Sequence, residues 1–344
     1  MGEARDLWGR VRHAPVGFGG SVLGNLYQSI EESEAIEAVH RAWHCGVRYF
    51  DTAPFYGMGL SEKRLGEGLR DLPRSDIAIS TKVGRLLDPT SEVLPQMRDG
   101  FADPLPNTVR LDYSYDGVMR SFEDSLHRLG VDRIEILYAH DLGALTHGEM
   151  HLHYFEQFAD SGYRAMDELR SSGAVDAIGL GVNETAVIDQ AMAIGSFDCF
   201  LLAGRYTLLE QDPLNGFFDR VADHGARIVA GGVYNSGILA TGTGTGQPVY
   251  FNYEPASSEV IARVERIEAL CSEAGVPMAA AALQFARAHP VMATALVGLG
   301  SAELVDHTLA LAGTPIPESF WASLKSEHII ADNAPVPAPV ARQD

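Results

Sequence analysis

Eight short runs of β-branched and other apolar residues, each followed by a longer stretch, constrain this chain more than any other feature. The runs fall at 16–19, 47–50, 77–81, 135–140, 176–181, 199–203, 227–230 and 294–298. Several are apolar at consecutive positions, the pattern of parallel strands covered on both faces. Helical periodicity marks 31–44, 61–70, 115–129, 163–171, 213–223, 278–288 and 302–311. Gly46, Gly130, Gly173, Gly225 and Gly275 stand where helices should stop, and Ser61 reads as a helix N-cap. Strand and helix alternating eight times without an internal linker favour an α/β fold with a single (β/α)8 barrel over an open doubly wound sheet. With 344 residues, 46% of them apolar, the chain has material for one large core. The barrel domain is read as residues 1–331, and the Pro- and Ala-rich stretch 332–344 as a flexible tail. The two longest connections, 84–114 and 141–162, both follow strands. They therefore lie on the C-terminal face, where barrels of this kind build active sites.

Four ionisable residues stand at that face. Asp51 ends the run VRYFD, Tyr56 follows five residues on, Lys82 ends IAISTK and His140 ends IEILYAH. Their linear spacing has no meaning, but a barrel would bring them together. A phenol titrates near 10, too high for efficient proton transfer at neutral pH. A neighbouring Lys82 ammonium would favour tyrosinate, Asp51 would hold that ammonium, and His140 would orient a substrate oxygen. Each residue alone has a structural explanation, as a helix cap or a satisfied core group. All four at strand ends of one face point to acid–base chemistry.

The remaining composition narrows the partners. A net charge of −20 with no basic stripe speaks against nucleic acid. No window has about 18 consecutive apolar residues, so no membrane partner is expected. The N-terminal residues lack the apolar run of a signal peptide. Cys45, Cys199 and Cys271 are far apart and read as reduced packing residues of a cytoplasmic protein. A small polar molecule is the expected substrate.

The segment Phe50-Asp-Thr-Ala-Pro-Phe-Tyr-Gly, running on to Gly59-Leu-Ser-Glu and Leu65-Gly, resembles the aldo-keto reductase signature. Ile79-Ser-Thr-Lys-Val-Gly resembles that family's lysine strand. Ser125-Leu-His-Arg-Leu-Gly with Asp132-Arg-Ile-Glu-Ile-Leu-Tyr-Ala-His resembles its histidine strand. The resemblance runs from Pro15 to about Gly313. It implies that Tyr56 donates or accepts the proton, that Lys82 and Asp51 tune it, and that His140 positions the substrate oxygen. Leu86-Leu-Asp, Asp112-Tyr-Ser-Tyr-Asp-Gly and the stretch from Leu201 to Gln211 are similar to one bacterial branch, that of D-threo-aldose 1-dehydrogenase and pyridoxal 4-dehydrogenase. Members of that branch oxidise a cyclic hemiacetal to a lactone. The implied activity is NAD-dependent oxidation of a small hemiacetal or alcohol, an aldose C1 or pyridoxal. An NADPH-dependent aldehyde or ketone reductase of the same family is the alternative. A cofactor-binding regulatory protein with little turnover is the alternative of another class.

The resemblance also places the cofactor, with departures. Asn183 matches the residue that holds the nicotinamide amide, while Val182 replaces the usual Ser and Ala203 the usual Gln. Gly231 stands where a tyrosine normally stacks on the nicotinamide, and Tyr234 is a candidate for supplying an aromatic face instead. Gly298, Gly300 and Ser301 open the last helix, where backbone amides would receive the adenosine phosphate. Residues 291–315 contain no Lys or Arg but carry Glu303 and Asp306, which suits a ribose hydroxyl better than a 2′-phosphate. NAD is therefore expected over NADP. His147, His151 and His153 crowd one loop; they read as a polar lid, a surface loop or a metal site. The spacing fits no metal motif, so no metal is assigned.

Overall fold

The structure is a computed structural model describing residues 7–244, 246 and 248–338. Among these residues eight parallel strands close into a barrel in chain order: β1 Gly17–Gly19, β2 Tyr49–Asp51, β3 Ala78–Val83, β4 Ile136–His140, β5 Ala177–Val182, β6 Cys199–Ala203, β7 Arg227–Gly231 and β8 Met292–Gly298. The last strand pairs back onto the first, Gly17 opposite Leu296. The single (β/α)8 barrel expected from the sequence is the one that forms.

Alternation along each strand sorts the side chains. Phe50, Ile79, Leu137 and Phe200 belong to the large core shared with the surrounding helices. Tyr49, Ala78, Ile136, Tyr138 and Cys199 fill a separate interior cluster. Continuing the same parity upward puts Asp51, Lys82 and His140 inside, at the strands' C-terminal ends.

A helix closes the opposite end. Helix α1, Leu7–Arg12, has only six residues, too few to hold together alone. Leu7 and Val11 join the interior cluster, and full burial of such side chains contributes about 1.5–3 kcal/mol each, enough to seat it. Arg10 adds a hydrogen bond to the Ile77 carbonyl at 3.0 Å.

Around the barrel lie α2 Glu32–His44, α3 Leu60–Leu69, α4 Tyr115–Leu129, α5 Tyr163–Ser171, α6 Ala186–Met192, α7 Phe217–Asp223, α8 Ser258–Ala274, α9 Met278–Arg287, α10 Ala302–Gly313 and α11 Glu318–Ser326. The five glycines expected to stop helices all have φ between 63° and 94°. Ser61 differs from expectation. The N-cap of α3 is Gly59, and the Ser61 hydroxyl instead donates to the Gly20 carbonyl at 2.7 Å, tying β1 to the helix. Helices α1, α6, α8 and α11 were not marked by periodicity; α8 buries only Val264, Ile267 and Cys271 over 17 residues.

The two long connections have structure of their own. In the first, Arg85–Pro89 pairs antiparallel with Asn107–Leu111. In the second, short helical turns lead through a π-helical segment, Phe158–Gly162, directly into α5. Packing continues beyond residue 331, since Ala334 is buried in the core and Val336 packs against it. Of the tail expected over 332–344, residues 339–344 lie outside the described residues. Among the described residues no single helix is long and apolar enough to cross a membrane.

Candidate active site

Tyr56 sits at the start of a tight turn, Tyr56–Gly59, that follows β2. Two glycines let the loops after β1 and β2 touch behind it. A Cβ on Gly24 would lie 2.5 Å from the Tyr56 carbonyl carbon, and one on Gly57, whose φ is 62°, would lie 2.5 Å from the Gly24 oxygen. Any larger residue at either position would displace Tyr56.

The four expected residues converge. Lys82 Nζ donates to Asp51 Oδ2 at 2.8 Å and to the Thr52 carbonyl at 2.8 Å. An ammonium has three donors, and Lys82 keeps the third toward Tyr56, its nitrogen 4.5 Å from the ring centre. The Tyr56 ring meets His140 edge-on, with centroids 5.9 Å apart. Room for the lysine stem comes from Gly181, where a Cβ would lie 3.3 Å from Lys82 Cε.

Burial decides the protonation states. His140 is held well below its ordinary value by burial, with Arg85 and Lys82 adding to the effect, so the imidazole is neutral. Its Nδ1 is buried without a hydrogen-bond partner. Lys82 stays protonated: burial acts against the ammonium, but Asp51 and Tyr56 outweigh it and raise its pKa. For Tyr56 the sequence-based expectation needs correcting. Burial raises the phenol above 10, and the Lys82 ammonium offsets this only in part because Asp51 works against it.

Several residues at this mouth escaped the sequence reading. Arg85, three residues past Lys82, pairs with Asp141 at 2.7 Å and stacks its guanidinium 4.0 Å from the Phe55 ring centre. Asp141 Oδ2 also lies 3.4 Å from His140 Nε2. Phe55 and Phe101 form an apolar wall, with ring centres 5.7 Å apart. Tyr113 donates to the His140 carbonyl at 2.5 Å and bonds His147 at 3.1 Å, tying the histidine loop to the site. The signal for Arg85 and Asp141 was their place directly beyond the ends of Lys82's and His140's strands.

The residues expected to hold the cofactor occupy the other half of the same rim. Asn183 follows β5, and its carbonyl accepts from Arg205 Nε at 2.6 Å. Gly231 ends β7, where a Cβ would lie 3.1 Å from Leu201 Cδ2. Gly298 ends β8 beside Val22, and Ser301 caps α10 by accepting from the Leu304 amide at 3.2 Å. Tyr234, the candidate for an aromatic face, packs against Ala279, Ala280 and Leu311 and against the main core. The three loop histidines do not converge. His151 bonds the Gly148 carbonyl and His153 packs on Tyr154, and among the described residues no three His, Cys, Asp or Glu residues form a metal-binding group.

Residues 15–328 match the model of the aldo/keto reductase family. The chain belongs to that family. Members use nicotinamide cofactors, and this chain is an oxidoreductase of that kind. It is 41% identical to pyridoxal 4-dehydrogenase of Microbacterium luteolum over 92% of this chain and 94% of that one. It is 35% identical to D-threo-aldose 1-dehydrogenase of a Pseudomonas species, with the same coverage of 92% and 94%. Among solved structures, the holo form of aldo-keto reductase AKR11C1 from Bacillus halodurans superposes with a TM-score of 0.68 at 23% identity, covering 95% of this chain and 94% of that one. That last likeness bears on the fold alone.

Proposed function

We propose that this aldo/keto reductase is an NAD-dependent dehydrogenase that oxidises a small cyclic hemiacetal or alcohol, with the hemiacetal of pyridoxal or an aldose C1 as substrate. The observation that carries this reading is the Lys82 ammonium held between Asp51 and the face of Tyr56, beside a neutral His140. When bound, the oxidised nicotinamide supplies the hydride acceptor and a further positive charge. The protein's share is the proton. Neutral His140 donates to the substrate oxygen and fixes it against Tyr56, and the Tyr56 phenolate takes the hydroxyl proton as the carbonyl forms. Lys82 stabilises that phenolate, and Phe55 and Phe101 shield the transfer from water.

The residues fit such a cofactor. Ala203 and Gly231 leave one side of the mouth without bulky side chains, and α10 presents its N-terminus just beyond Gly298. NAD is favoured over NADP because Arg41 from α2, a cation that reaches α10's first turns, is already bound to Asp306 at 2.7 Å. Cys45, Cys199 and Cys271 are all unpaired, which suits a reducing cytoplasm.

The test is a substrate panel of pyridoxal, D- and L-aldoses and simple alcohols with both cofactors, followed by nicotinamide absorbance. Oxidation of one hemiacetal class well above the simple alcohols is expected. Turnover confined to reduction of open-chain aldehydes would overturn the reading.

A further inference from the structure

We propose that the barrel interior carries a one-way hydrogen-bond chain, from Cys199 through Tyr138, Tyr49 and Ser80 to Asp51, that draws negative charge off Asp51 and so controls how strongly Lys82 acts on Tyr56. The inference rests on Tyr56 being the proton-transfer residue.

The chain is continuous. Ser80 Oγ lies 2.6 Å from Asp51 Oδ1, Tyr49 Oη 2.9 Å from Ser80 Oγ, Tyr138 Oη 3.2 Å from Tyr49 Oη, and Cys199 Sγ 3.6 Å from Tyr138 Oη. All five residues are buried, none more than 3% exposed. Counting donors fixes its direction. A carboxylate only accepts, so the single Ser80 hydrogen goes to Asp51. Ser80 must then accept from Tyr49, Tyr49 from Tyr138, and Tyr138 from the Cys199 thiol. Every dipole points its positive end at Asp51, and bonds aligned in this way polarise one another in a low-dielectric interior.

Barrel interiors of this fold are filled mostly by branched aliphatic side chains. Two tyrosines and a serine here are a departure that the rest of the barrel accommodates. A Cβ on Gly17 would lie 2.8 Å from Tyr49 Cδ1, and one on Gly179 3.3 Å from Tyr138 Cδ1. The small residues make room for the rings, and the hydroxyls meet end to end.

The sign follows from the geometry. With the chain intact, Asp51's charge is spread away from Lys82, so the ammonium is freer to stabilise the Tyr56 phenolate. With the chain broken, Asp51 holds Lys82 more tightly and repels the phenolate more strongly. The other groups facing Tyr56 are His140, Asp141 with its Arg85 partner, and Tyr253 across the mouth. None of them touches the chain. Ser80, Tyr49, Tyr138 and Cys199 are thus positioning residues that act through Asp51.

The experiment measures the pH profile of kcat/KM for oxidation in Ser80→Ala, Tyr49→Phe, Tyr138→Phe and Cys199→Ala, with Ile136→Val as a packing control from the same interior cluster. The kinetic pKa should rise in every chain variant, most for Ser80→Ala and least for Cys199→Ala. A rise of roughly half a unit in Tyr49→Phe would cost about threefold in kcat/KM below that pKa, with activity recovered in alkali. Ile136→Val should lose stability without moving the profile. An unchanged profile in a folded Tyr49→Phe enzyme overturns the chain, as do shifts that follow stability loss and not distance from Asp51. If Tyr49→Phe does not fold, Ser80→Ala and Cys199→Ala carry the same comparison. Full activity in Tyr56→Phe would reject the dehydrogenase mechanism itself, whatever the chain variants do.

Discussion

Lys82 Nζ lies 2.8 Å from Asp51 Oδ2 and 4.5 Å from the centre of the Tyr56 ring, so one buried ammonium serves a permanent anion and an intermittent one. Replacing Lys82 with Met removes the only large effect that lowers the Tyr56 phenol. The kinetic pKa for oxidation should move further up, leaving little activity at neutral pH and partial recovery under alkaline conditions. Asp51 loses its partner as well, and breaking a buried pair costs about 3–5 kcal/mol. Urea unfolding should therefore accompany the pH profile, and an unshifted profile in a folded, partly active variant would leave Lys82 a structural role only.

Tyr56→Phe keeps the ring that packs near Phe101 and His140 but removes the hydroxyl proposed to transfer the proton. Folding should persist, and turnover should fall roughly 100-fold or more. Circular dichroism and steady-state rates check both halves.

Arg85 neutralises Asp141 and helps hold His140 in its neutral form. Arg85→Met should raise the His140 pKa toward its ordinary value and leave Asp141 uncompensated. Substrate KM should rise more than NAD KM, and NMR titration of the imidazole should show the upward shift. Equal effects on both KM values would argue against a place in the substrate half of the mouth.

NAD should give the higher kcat/KM. Each tenfold preference corresponds to about 1.4 kcal/mol, which one charge contact can supply. Asp306→Ala releases Arg41 and should narrow the preference; a wild-type preference of tenfold or more for NADP would reject the reading.

His147 is held down to about 4, first by burial and then by Arg85. A lowered histidine pKa means that the unfolded chain takes up protons first as pH falls. Its stability contribution is present above about 6.5 and is lost progressively toward about 4. Urea midpoints should fall across that window, and His147→Gln should flatten the decline while leaving part of it to His140, whose pKa is lowered for the same reason.

The strand parity that delivers Asp51, Lys82 and His140 to one face was legible because period two is a property of each strand alone. The glycine stops were legible for a similar local reason, since a left-handed backbone favours glycine whatever surrounds it. Ser61 was misread because its hydroxyl serves a residue 41 positions away and not its own helix. Arg85 and Asp141 went unnoticed because their meaning lies in a pairing 56 residues apart. The cation beside α10 was invisible for the same reason, since Arg41 arrives from 265 positions earlier.

The seat of α1 on the floor of the barrel gives the molecule a handle. Leu7 and Val11 fix this helix to the end of the barrel opposite the mouth. An electrode or bead coupled there would hold every copy with its opening toward solution. A sensor for the enzyme's substrate could then be assembled in a defined orientation without altering a single residue of the site.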